Sequence, residues 1–172
     1  MPHDKSVKDL MLPLADCPAV SPDDTVQRAV TLLKKGAVSG HQFVLVMNDS
    51  GQPVGLLSRR ALLRILEPKF VVTDRWALPV FWNGFFTDKC KEEAKKKVKD
   101  IMRPINVLTV ETDDPITKAL HIMVSNHIGI LPVLKDGKVV GVLRLHEIFQ
   151  EFAGLVADPD IKTQPVSRNN RG

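Results

Sequence analysis

Two stretches of this 172-residue chain carry the same text. Val7-Lys8-Asp9-Leu10-Met11 returns as Val98-Lys99-Asp100-Ile101-Met102. Ala19-Val20-Ser21-Pro22-Asp23-Asp24 returns as Thr109-Val110-Glu111-Thr112-Asp113-Asp114, and Gly51-Gln52-Pro53-Val54-Gly55 as Gly137-Lys138-Val139-Val140-Gly141. The offset drifts from 91 to 86, so small insertions separate the copies. An internal repeat restricts the fold more than any local motif, because each copy must make the same supersecondary unit. A unit of this size leaves one sheet face bare, and two copies can cover each other.

Each copy reads β-α-β-β-α. Short β segments, around Ala19-Val20 and over Val107 to Val110, lead into helices. Pro115 suits the first helical position, which makes Asp114 the N-cap in the second copy, with Asp24 in that role in the first. Val26, Ala29, Val30 and Leu33, and then Ile116, Ala119, Leu120 and Met123, fall at i, i+3, i+4 and i+7, so one face of each helix belongs to a core. Hairpins follow, Phe43 to Met47 with Val54 to Leu57 and Ile130 to Leu134 with Val139 to Leu143, turning at Asp49-Ser50-Gly51 and Asp136-Gly137. Closing helices carry Leu62, Leu63, Leu66 and Ile148, Phe149, Phe152 as apolar faces. The expected fold is α/β (α+β by some schemes), two tandem β-α-β-β-α repeats packed with pseudo-two-fold symmetry through their sheets. Its expected divisions are 5–66 for the first repeat, 67–97 for an aromatic linker and amphipathic helix, 98–155 for the second repeat, and 156–172 for a mobile polar tail.

Apolar residues make up 44% of the chain, enough to fill a core shared by both copies. No uninterrupted apolar segment approaches a membrane span and no leader pattern opens the chain, so the expected location is the cytoplasm. Cys17 and Cys90 form neither a disulfide framework nor a C-x-x-C pair, which fits a reducing compartment. The net charge of +4 brings nucleic acid to mind. Seven basic residues between Lys89 and Arg103 stand against three acids, yet Glu92 with Lys96 and Glu93 with Lys97 are i,i+4 pairs. Cys90, Ala94, Val98 and Ile101 form an apolar stripe, so the segment reads as an amphipathic helix with a solvated face, and no aromatics are interleaved for base stacking. His3, His41, His121, His127 and His146 lack the i,i+4 spacing of a helical metal pair. There is no P-loop, Gly-x-Ser-x-Gly or Gly-x-Gly-x-x-Gly. The expectation is a protein with no catalytic residues, no metal site and no required cofactor.

The two Val-Lys-Asp-Leu/Ile-Met heads, the run Ile128-Gly129-Ile130-Leu131-Pro132-Val133, and the exits Gly55-Leu56-Leu57-Ser58 and Gly141-Val142-Leu143-Arg144 together resemble a tandem cystathionine-beta-synthase (CBS) domain pair. The resemblance is to the stand-alone form of the Bateman-module family and covers roughly residues 5–155, apart from the intervening segment. It implies a regulatory module, not an enzyme, that senses AMP, ADP, ATP, S-adenosylmethionine or another adenosyl ligand between its repeats, commonly as a homodimer. In the family the last strand exits through Gly-hydrophobic-hydrophobic-Thr/Ser-x-x-Asp, with the hydroxyl serving phosphate and the carboxylate serving the ribose diol. A carboxylate can accept from two adjacent hydroxyls, and a helix N-terminus attracts phosphate.

The copies depart from that pattern differently. The second reads Arg144-Leu145-His146-Glu147, keeping a carboxylate one methylene longer than Asp. This is the favoured cleft, and the resemblance implies that Asn106, Val107, Ile128, Gly129 and Pro132 frame the adenine while Arg144, His146 and Glu147 stand at the exit. The first reads Ser58-Arg59-Arg60-Ala61, a hydroxyl and two candidate phosphate partners with a methyl group in place of the carboxylate. With Cys17 and Ala19 it forms a second, weaker cleft. Cys17 also reads as a small buried thiol.

Residues Glu67 to Thr87 hold Phe70, Trp76, Phe81, Trp82, Phe85 and Phe86, six of the nine aromatics in the chain. Such side chains pack against the core or a homodimer interface, or they dock another protein. The alternative function is therefore a ligand-free dimeric scaffold or partner-binding subunit, with nucleic-acid binding ranked below both.

Overall fold

The computed structural model describes residues 4–36, 42–67 and 85–162. The first copy opens with one helical turn, α1 (Val7–Leu10), and a short strand, β1 (Leu12–Pro13), followed by a 3-10 turn over Leu14–Asp16. Then come β2 (Ala19–Val20), α2 (Val26–Gly36), β3 (Phe43–Met47), β4 (Pro53–Ser58) and α3 (Arg59–Arg64). A helix, α4 (Phe85–Ala94), and a 3-10 turn over Val98–Asp100 lead into the second copy. Its elements are β5 (Arg103–Pro104), β6 (Val110–Glu111), α5 (Ile116–Ser125), β7 (Ile130–Lys135), β8 (Lys138–Arg144) and α6 (Leu145–Val156).

Both expected hairpins are present. Asp136 and Gly137 adopt φ of 52° and 76°, the two consecutive left-handed residues that a tight turn between β7 and β8 requires. In the first copy Asn48 Oδ1 accepts from the Ser50 and Gln52 amides, and Gly51 takes φ 75°. β3 and β4 pair antiparallel, as do β7 and β8, while β2 lies parallel to β3 and β6 parallel to β7.

The strand orders are β2-β3-β4-β5 and β1-β8-β7-β6. Each sheet thus takes three strands from one copy and an edge strand from the other. β1 joins β8 with Leu12 opposite Val142, and β5 joins β4 with Arg103 opposite Leu56. The repeated head motif explains the exchange. Val7 N–H donates to Asp114 O and Lys8 N–H to Thr112 O, while Val98 N–H donates to Asp24 O and Lys99 N–H to Pro22 O, all between 2.8 and 3.0 Å. Lys8 pairs with Asp113 at 3.0 Å and Lys99 with Asp23 at 3.1 Å, each lysine reaching the opposite copy. These exposed ion pairs contribute little energy. The packing contributes more: Val7 is fully buried in the core of the second copy and Val98 in that of the first. Each such burial is worth about 1.5–3 kcal/mol.

The core has three tiers. Val26, Ala29 and Leu33 of α2 and Leu62 of α3 pack on one sheet, and Ala119 and Met123 of α5 with Ile148 of α6 pack on the other. Between the sheets lie Phe43, Leu45 and Leu56 from one and Ile130 and Val142 from the other. The result is an α/β arrangement in which two four-stranded sheets meet face to face and helices cover their outer surfaces.

Several local expectations are corrected. Pro115 occupies the cap position before α5, and the Asp114 and Asp24 carboxylates instead accept from the Glu111 and Ser21 amides in the preceding turns. In the first copy Thr25 Oγ1 meets the Arg28 amide. β6 begins only at Val110, and Val30, Leu63, Phe149 and Phe152 are exposed. α4 ends at Ala94, because Lys97 leaves helical geometry to bridge Thr25. Glu93 of this helix is buried, held by Lys89 at 3.0 Å and Lys96 at 2.8 Å. Lys97 and Lys99 both reach Asp23, so four lysines of the basic segment have carboxylate partners. Of the aromatic linker, Phe70, Trp76, Phe81 and Trp82 lie outside the described residues, as do residues 163–172 of the polar tail, and Phe86 is exposed.

Candidate functional site

Side chains alternate faces along a strand, so the exits of β4 and β8 have a defined direction. Leu56 and Val142 face the layer between the sheets, and Ser58 and Arg144, two residues on, project to that same side. Both exits therefore open onto the seam between the repeats, at the point where α3 and α6 begin.

At the second exit Arg144 precedes α6, where a lone cation would oppose the helix dipole. Glu147 in the first turn offsets it. The Arg144 Nε donates to both carboxylate oxygens, at 2.8 and 3.0 Å, and a guanidinium nitrogen makes a further short contact with Oε1. Both side chains are largely buried. A carboxylate offers about four acceptor positions, so Glu147 retains capacity for a hydroxyl beside its arginine. Ile128 and Gly129 lie alongside: Gly129 O accepts from the Leu145 amide at 2.7 Å, and Ile128 packs against the core of the second copy. Pro132 is buried in β7 opposite Val142. His146 is exposed on α6. Asn106 and Val107 are exposed on the crossing from β5 to β6, with Val107 at 61%.

The first exit is built differently. Ser58 Oγ accepts from the Ala61 amide at 3.1 Å and so caps α3, with its hydroxyl hydrogen still able to donate. Arg59 and Arg60 are exposed, and Arg60 donates to His127 O of the other repeat at 3.3 Å. Ala19 pairs with Leu45 at the sheet edge, exposed to solvent. Cys17 packs against the inter-sheet core, its thiol 3.4 Å from Pro13 O. Burial pushes that thiol up to about 11, with the Arg144 charge pulling the other way. Cys17 is thus a protonated thiol at neutral pH.

Arg103 went unnoticed in the sequence. It is half-buried, and one guanidinium nitrogen donates to Ile130 O at 2.8 Å across the seam. A signal was available: the repeat offset places Arg103 where the first copy has the apolar Leu12. Among the described residues no group of three His, Cys, Asp or Glu side chains is arranged to hold a metal ion, and no helix is long and apolar enough to cross a membrane.

The family model for the CBS domain matches residues 7–68 and 98–154. Among curated relatives, an inosine-5'-monophosphate dehydrogenase of Methanocaldococcus jannaschii is 25% identical over 80% of this chain, and an uncharacterized protein of Methanopyrus kandleri is 28% identical over 80%. The chain spans only 22% and 58% of their lengths. Among solved structures, CBSX2 in complex with AMP has a TM-score of 0.62 at 22% identity, covering 88% of this chain and 98% of that one. The CBS domain pair of protein MJ0100, in complex with 5-methylthioadenosine and S-adenosyl-L-methionine, has a TM-score of 0.64 at 19% identity, covering 90% and 100%. A conserved protein from Pyrococcus horikoshii has a TM-score of 0.63 at 20% identity, covering 96% and 99%. At these identities the likeness is one of fold.

Proposed function

The chain belongs to the CBS-domain family, and from that membership we propose that it is a regulatory module, without catalysis of its own, whose second cleft senses an adenosyl ligand. The observation that carries this reading is the Arg144–Glu147 pair at the head of α6, beside the Gly129 backbone, facing the seam between the repeats. A ribose diol would share the Glu147 carboxylate, and Ile128, Gly129, Pro132, Asn106 and Val107 would flank the base. Two of the solved relatives hold adenosyl compounds, which supports the ligand class.

A ligand shifts a conformational equilibrium only by its differential affinity for the two states. A cleft made from both repeats suits that requirement, because occupancy alters their relative packing. We place the response in a homodimer built on α6. Leu145, Phe149, Phe152 and Val156 are exposed at i, i+4, i+7 and i+11, an apolar stripe along one face of that helix. Phe149 and Phe152 are 60% and 59% exposed, more than an isolated soluble chain needs. The same stripe also favours the second reading, a scaffold that works by association alone.

Thermal shift and calorimetry with AMP, ADP, ATP, S-adenosylmethionine and NAD separate the two. The sensor raises its melting temperature with a ligand, by mass action, and loses that response in Glu147→Ala while keeping it in Ser58→Ala. The opposite mutant pattern moves the site to the first cleft. No response to any compound at millimolar concentration, with a dimer by light scattering, selects the scaffold.

A further inference from the structure

A carboxylate accepts at about four positions, two on each oxygen, and a ribose diol brings two donors. Arg144 draws on most of what Glu147 offers. Its Nε donates to Oε1 at 2.8 Å and to Oε2 at 3.0 Å, and its Nη2 donates to Oε1 as well. Oε1 thus accepts twice and Oε2 once, which leaves about one position, on Oε2. This is no loose surface contact: the two side chains are 13% and 19% exposed, and a guanidinium forked onto a carboxylate is a strong, directional partner.

The first copy shows the same place in the repeat without a cation. Ser58 stands where the second copy has Arg144, and its hydroxyl caps α3. Arg144 makes no side-chain cap to α6, and a cation ahead of a helix opposes the dipole. The helix end disfavours the arginine, and the carboxylate one turn on offsets that.

We propose that Arg144 is a built-in competitor for the ribose: it leaves Glu147 able to accept from one hydroxyl, so the second cleft does not distinguish a ribose from a 2′-deoxy or 3′-deoxy sugar. This assignment rests on the adenosyl reading of the second cleft and adds how that cleft selects the sugar. Replacing the arginine frees the carboxylate for both hydroxyls, which tightens binding of the ribose form and creates the missing discrimination.

Calorimetry on the full chain tests it with adenosine, 2′-deoxyadenosine, 3′-deoxyadenosine and 2′,3′-dideoxyadenosine. None carries a phosphate, so no attraction between phosphate and arginine enters the comparison. The parent is expected to bind the first three within about three-fold of one another, and the dideoxy compound about ten-fold more weakly. Arg144→Ser is expected to bind adenosine about ten-fold more tightly than the parent does, and to prefer it about ten-fold over either monodeoxy compound. Serine suits a helix N-cap, and a melting curve checks that the variant is folded. Arg144→Lys, whose ammonium lacks the planar fork, is expected to fall between the two. Binding by Arg144→Ser where the parent shows none supports the competitor as well.

A ten-fold ribose preference already present in the parent overturns the proposal and leaves the adenosyl reading standing. So does a folded Arg144→Ser that binds adenosine more weakly or gains no ribose preference. Should that variant fail to fold, Arg144→Lys decides, and a ribose preference unchanged from the parent overturns the proposal. If all four nucleosides bind alike to every variant and Glu147→Ala changes nothing, the ribose contact at Glu147 falls and the proposal with it. If none binds to any of them, the adenosyl reading falls too.

Discussion

Gly55 and Gly141 hold matched positions in the repeat, and each lies under the methionine of the opposite head. A Cβ on Gly55 would run into the Met102 side chain, while one on Gly141 would sit 2.5 Å from the Leu12 carbonyl oxygen. A thioether can swing aside and a strand backbone cannot. Gly141→Ala is therefore expected to destabilise by about 2–3 kcal/mol, and Gly55→Ala by about 1 kcal/mol, in urea denaturation. Equal losses would mean that β1 shifts as freely as a methionine rotates. The motif glycines and methionines were legible in the sequence, but their partnership was not, since it joins residues from opposite copies. Arg103 was missed for the same reason: among the described residues it donates to a backbone carbonyl near the start of β7, far from it in sequence.

Among the elements, α4 departs most from its periodicity. The stripe Cys90, Ala94, Val98, Ile101 suggested one continuous helix, yet the chain stops being helical at Ala94 and buries Glu93. Burial alone would raise that carboxyl, but the Lys96 and Lys89 ammonium groups outweigh it and hold it below its ordinary 4.5. A depressed carboxylate contributes stability above its unfolded value, and that contribution is lost as pH falls through the lower folded value. Glu93→Gln is expected to cost about 1–3 kcal/mol at pH 7 and to shrink the difference from the parent as pH drops below 4.5. Denaturant midpoints at pH 7 and in acid check it; a constant difference would remove the ionised carboxylate from the account. The closing helices show the reverse error. Ile148 is buried as periodicity required, while Phe149 and Phe152 turn outward, because one sheet face cannot cover so wide an apolar arc.

At the level of the whole molecule, neither copy is complete alone. A fragment ending at Lys95 keeps β2, α2, β3 and β4 but lacks Val98 and the edge strand β5, which close its own core. It is expected to expose that core and show no cooperative melt. Adding a fragment from Lys96 onward, which needs Val7 and β1 in turn, is expected to restore a single transition with one-to-one stoichiometry. Independent cooperative melting of either fragment would show that the exchanged heads are dispensable.

From the sequence alone came the repeat, the type and order of the main elements, the hairpin turns and the family resemblance, because these depend on local periodicity, turn chemistry and motif spacing. The exchange of heads, the pairing of Arg144 with Glu147, and the contacts of Arg60 with His127 and of Arg103 with Ile130 were settled only in three dimensions. Copies that match in sequence can pair their edges with themselves or with each other, and local propensity is the same either way. What decides is which sheet edge and which core each head can reach once both copies have formed.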